Sequence, residues 1–196
     1  MQSLDRTEHT RLLGQVAPAL KDLREEAERI RAGDITKPVR EIAPLSLRVQ
    51  QLAMECTGQF HDLSTSQYAV MKGGQENLAH LAGACAQVSL AATLCNLAIH
   101  HRTECLLYED ADPTPKTSRG QLRRAGDEMQ RAATTYRALA RLLSRRLASA
   151  SSRAEDQQLI AHALANGSEK ASAAASTPVY PAPPRPEPKP FIHTRR

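Results

Sequence analysis

His100, His101, Glu104 and Cys105 place two imidazoles, a carboxylate and a thiol within one turn and a half of sequence. Each of these groups is a ligand for zinc or copper. On a helix, residues four apart stand one above another, which pairs His100 with Glu104 and His101 with Cys105. The two pairs diverge by roughly 100° around the axis, so they make two half-sites rather than one. Completion would need His61, His80 or Cys56 from elsewhere in the chain. The Glu-x-x-His signature of helical carboxylate-iron proteins is absent. The expectation is therefore that no metal and no other cofactor is held, with these four residues as the metal or redox candidates.

The remaining cysteines argue the same way. Cys85, Cys95 and Cys105 are spaced ten apart and no Cys-x-x-Cys occurs. Cys85 and Cys95 fall in an apolar stripe, where a thiol behaves as a small hydrophobe. The chain has no nucleophile elbow and no glycine-rich phosphate loop after a strand, so enzyme chemistry is not expected.

Arginine offers a different chemistry. Between Arg119 and Arg146 stand eight arginines and only two acids, Asp127 and Glu128. Arg119, Arg123, Arg124, Arg131, Arg137, Arg141, Arg145 and Arg146 spread over the half of a helix opposite its apolar sector. Such a face can neutralise phosphates, bind an acidic protein surface, or lie on anionic lipid. Equally, it can be a solvated outer face whose stems cover apolar neighbours. No helix-turn-helix and no interleaved aromatics accompany it, so any nucleic-acid contact would be to the backbone.

The elements that position these groups are read from apolar spacing. Helices are expected over about 3–32, 39–72, 75–108 and 118–150, with a short one over 153–165. Gly33 caps the first helix, Pro38 opens the second, Gly73-Gly74 breaks the chain, and Ser118 with Gln121 has the form of a capping box opening the fourth. Pro18 and Pro44 sit inside the first and second helices, where proline kinks the axis or delays the start. Aromatics make up 3% of the chain and tryptophan is absent, so the core must be Leu, Ala, Val and Ile. That composition suits close helix packing. With short connections, the expected fold is all-α: an up-down-up-down four-helix bundle over 1–166, followed by a Pro/Ala/Ser-rich tail over 167–196. That tail holds seven of the twelve prolines. Disorder is its expectation, and PxxP patterns such as Pro181 to Pro184 arise there almost unavoidably.

The third helix decides the environment. Asn77 to His101 is 25 residues without an acidic or basic charge, long enough to cross a bilayer. Gln87, Ser89, Thr93 and Asn96 interrupt it, and its neighbours are amphipathic and charged, so no membrane span is expected. Its apolar residues form two stripes. The larger holds Leu78, Leu81, Cys85, Val88, Ala92, Cys95 and Ile99. Leu90, Leu94, Leu97 and Tyr108 form the second, and Leu47 and Met54 of the second helix are candidates to extend it. A bundle helix needs one stripe, so the surplus points to self-association. No apolar leader opens the chain, and a cytoplasmic location is expected. The functional expectation is a non-enzymatic interaction or assembly module that forms a homo-oligomer or takes a helical partner. Phosphate-backbone or acidic-protein binding through the arginine face is the alternative.

Overall fold

A computed structural model describes residues 6–107 and 116–174. Over these residues the protein is all-helical, with no strand. The helices are α1 (Arg6–Ala32), α2 (Pro38–Thr65), α3 (Gly74–Leu107), α4 (Lys116–Ala148) and α5 (Ala150–Ala174), with one turn of 3₁₀ helix over Gln67–Val70. Tyr108, most of the expected loop before α4, and the proline-rich stretch with Pro181 to Pro184 lie outside the described residues.

Compactness divides the chain into two units, Met1–Ala161 and His162–Arg196. The first holds the core. In it α1 packs on α4, α4 on α3 and α3 on α2, with a thinner contact between α1 and α2. Leu13, Leu20, Ile42, Leu45, Val49, Leu81, Val88, Leu122 and Met129 are all essentially inaccessible. Burial of each such side chain contributes about 1.5–3 kcal/mol. The α1–α2 connection is clamped by two arginines: Arg102 Nε donates to the Ile35 carbonyl at 2.7 Å and Arg119 Nη2 to the Gly33 carbonyl at 3.0 Å. In the second unit, Asn166 and His162 lie within hydrogen-bonding distance, 3.1 Å, on successive turns.

Several boundaries differ from the sequence expectation. α1 and α2 run through Pro18 and Pro44 without ending. α2 stops at Thr65 rather than near 72, because the Ser66 hydroxyl bonds the Leu63 carbonyl and caps the following turn at Tyr68 N–H. Gly73 then takes φ +70, and a Cβ on Gly74 would stand 2.1 Å from the Tyr68 carbonyl oxygen. Glycine is required at both places. α4 begins at Lys116, so Ser118 is not its N-cap. The Ser118 hydroxyl instead donates across to the Ala98 carbonyl of α3 at 2.9 Å. α5 continues past Gly167 to Ala174, beyond the end expected for the short fifth helix. The alanines there favour helix and the first proline comes only at Pro178.

α3 is long and apolar enough to cross a membrane by length and composition, yet 44% of its most apolar window is buried against protein. It is not enclosed: one broad arc faces α2 and α4 and the rest is open.

Candidate functional site

The His/Cys cluster does not close into a site. His100 Nε2 lies 3.4 Å from Glu104 Oε1 and His101 Nδ1 lies 3.9 Å from Glu104 Oε2, so one carboxylate serves both rings. His101, expected beside Cys105, thus also approaches the acid expected to pair with His100. His80 sits twenty residues earlier on the same helix, about 30 Å away at 1.5 Å per residue. His61 is exposed near the end of α2, and Cys56 is inaccessible in the core. Among the described residues no three His, Cys, Asp or Glu groups come together as a metal site.

The buried cysteines have a role that spacing did not reveal. Cys85 Sγ lies 3.4 Å from the Tyr136 hydroxyl and 3.4 Å from the Cys56 carbonyl oxygen. Cys85 of α3 thus reaches both α2 and α4 at one polar point inside the core. Burial pushes the thiols of Cys56 and Cys95 up to about 12. It raises Cys85 and Tyr136 as well. At neutral pH all four groups are protonated, which suits packing rather than nucleophilic chemistry.

The eight arginines divide by contact. Arg119 and Arg146 are clamps: Arg119 lies 3.6 Å from Asp34 besides its bond to Gly33. Arg146 bonds the Lys72 carbonyl at 2.8 Å and the buried Asp156 at 2.5 Å. Arg131 pairs with Glu128 one turn back. Arg123 and Arg124 project from α4 into solvent. Arg137, Arg141 and Arg145 line a groove between α4 and α1, together with Gly14, Ala17, Pro18, Lys21, Ala140 and Ser144. The groove therefore has cations on both walls and an apolar floor. Lys21, Gly14 and Pro18 were not candidates from the sequence, because they belong to a helix whose basic and acidic residues nearly balance.

The second stripe of α3 also needs revision. Leu90 and Leu97 are 42% and 36% exposed, whereas Leu94 is 2% exposed and belongs to the core. It drops out of any self-association surface, because α3 packs on two neighbours and buries a wider arc than one stripe. Leu47 and Met54 are about two-thirds exposed, at 65% and 64%, on α2. What accompanies Leu90 and Leu97 is small: Ala79, Gly83, Ala86 and Thr93 are exposed on the same line. The series 79, 83, 86, 90, 93, 97 alternates steps of four and three, the spacing of a coiled-coil seam. No acidic or basic residue falls within it. The Thr93 hydroxyl already donates to the Ser89 carbonyl at 3.1 Å, so covering it leaves no donor unmet.

No protein-family model matches the chain, and no curated protein or solved structure matches it either.

Proposed function

We propose that the chain is a non-enzymatic, cytoplasmic assembly module: an up-down-up-down four-helix bundle that pairs with a second copy through the outer face of α3. The carrying observation is the exposed heptad seam Ala79, Gly83, Ala86, Leu90, Thr93 and Leu97. Read antiparallel about residue 88, the seam is self-complementary. Leu97 meets Ala79 of the other copy, Leu90 meets Ala86, and Thr93 meets Gly83. Large side chains thus face small ones in every layer, as close helix packing requires. A two-fold axis brings the same patch to both copies and closes the assembly at two. Because the face is uncharged, pairing desolvates no ion.

The bundle reading is supported by the ring of helix contacts α1–α4–α3–α2–α1 and by cross-links between helices expected to be neighbours. The Ser46 hydroxyl donates to Asn96 at 2.6 Å between α2 and α3, and Arg24 donates to Gln130 at 2.8 Å between α1 and α4. Phosphate-backbone binding by the whole arginine face has less support, since Arg119, Arg131 and Arg146 are engaged within the protein.

Site-directed cross-linking tests the pairing and its direction. In a Cys105→Ser background, an Ala79→Cys/Leu97→Cys chain should oxidise to a covalent dimer. An Ala79→Cys chain alone, whose copies would sit at opposite ends of the seam, should not. Dimer from Ala79→Cys alone at equal yield would reverse the antiparallel reading, and no dimer from either would end the proposal.

A further inference from the structure

The α1–α4 groove has a feature that an ordinary solvated face lacks: it is two-sided and one-signed. Lys21 stands on the α1 wall, and Arg137, Arg141 and Arg145 stand on the α4 wall. Among the described residues, no carboxylate lines it. Lys21 lies 3.6 Å from Glu25, which is well exposed and does not line the groove. Along α4 the three guanidinium groups recur every fourth residue, so they form a rail about 12 Å long with steps of about 6 Å. Between the walls the floor is Gly14, Ala17, Pro18 and Ala140, all small or apolar. A Cβ at Gly14 would meet nothing within 4 Å, so the backbone is open to close approach there. Pro18 has no N–H, which leaves the Gly14 carbonyl without its helical donor and adds an acceptor at the same place.

From this geometry we infer that the groove is a docking site for an acidic amphipathic helix of another protein. A helix with Asp or Glu at every fourth position carries its charges at the same 6 Å step as the rail. Its adjacent apolar ridge, at three- and four-residue spacing, fits the uncharged floor. Carboxylates on either side of that ridge face Arg137, Arg141 and Arg145 on one wall and Lys21 on the other. The cations are strung out rather than convergent, which does not suit a single phosphate or a nucleotide. A nucleic-acid strand would satisfy the cations but not the floor, for among the described residues no aromatic side chain lines the groove to stack a base. The site lies on α1 and α4 and does not depend on pairing through α3.

The test uses the full chain and fluorescence anisotropy. The probe is a labelled model helix of roughly 20 residues with glutamates at every fourth position on either side of a leucine-alanine ridge. A scrambled peptide of the same composition, a single-stranded oligonucleotide and a duplex are compared with it. The ordered peptide should bind best, and more weakly as salt rises. Arg137→Ala/Arg141→Ala/Arg145→Ala should cost about tenfold or more in affinity, and Lys21→Ala a smaller factor. Arg123→Ala/Arg124→Ala, which removes exposed charge outside the groove, should leave affinity within about twofold. All of these side chains are exposed, so circular dichroism should show each variant folded. Equal binding of the scrambled peptide, tighter binding of either oligonucleotide, an equal loss in the Arg123/Arg124 variant, or no peptide binding would each overturn the assignment.

Discussion

The Tyr136 hydroxyl stands 3.4 Å from the Cys85 sulfur at the centre of the protein, with the tyrosine fully inaccessible. A phenol in an apolar core needs a partner, and the Cys85 thiol of the neighbouring helix provides one. Tyr136→Phe keeps the ring and removes the bond. It should lower unfolding stability by about 1 kcal/mol, the net worth of an ordinary hydrogen bond. Tyr136→Ala opens a cavity where three helices meet and should cost about 3–5 kcal/mol. Urea denaturation of the three chains distinguishes the two effects; equal losses would mean that packing contributes nothing beyond the hydroxyl.

Thiol chemistry follows from the same burial. Cys56 and Cys95 have their pKa raised from 9.0 to about 12 by desolvation. A raised value means the folded state holds its proton more tightly than the unfolded chain. That contribution is fully present below the ordinary thiol value and is lost as pH rises from about 9 toward about 12. Stability should therefore be flat with respect to these groups at neutral pH and fall on alkaline titration, and Cys56→Ala/Cys95→Ala should flatten the alkaline limb. Under native conditions at pH 8, a thiol reagent should label Cys105 ahead of Cys56, Cys85 and Cys95.

Arg146 ties three segments together. Its side chain is 21% exposed and that of Asp156 2%, and one guanidinium serves both this carboxylate and the Lys72 carbonyl. Arg146→Ala strips a buried acid of its cation and should destabilise by about 3 kcal/mol. Hydrogen exchange should rise first in the early part of α5 and in the turn around Lys72 and Gly73. Arg123→Ala, on the exposed side of the same helix, should be neutral to within about 0.5 kcal/mol. A similar loss from both would show that Arg146 is not a clamp.

Much of this architecture was legible because α1, α3 and α4 keep strict three-four spacing, and because Gly33, Pro38 and Gly73 punctuate the chain. The misses have local causes. Ser118 resembles an N-cap in sequence, but its hydroxyl finds the Ala98 carbonyl, a partner that exists only once α3 and α4 pack. Leu94 looked like part of a second stripe since a wheel assigns faces without showing how wide an arc two neighbours will cover. The seam escaped notice for the opposite reason: Ala79, Gly83 and Ala86 are too small to register as an apolar stripe, though their smallness is what admits a second helix. Lys21 joins the arginine rail from a different helix, and no reading of α4 alone contains it. The Tyr136–Cys85 contact is likewise between residues fifty-one apart.

Sedimentation equilibrium measures directly whether α3 presents a surface to another copy of itself. At tens of micromolar the full chain should have the mass of two chains, and Leu97→Glu, which sets a charge opposite Ala79 of the partner copy, should have the mass of one. A wild-type chain that remains monomeric across this range would contradict the claim, as would a Leu97→Glu chain that remains dimeric.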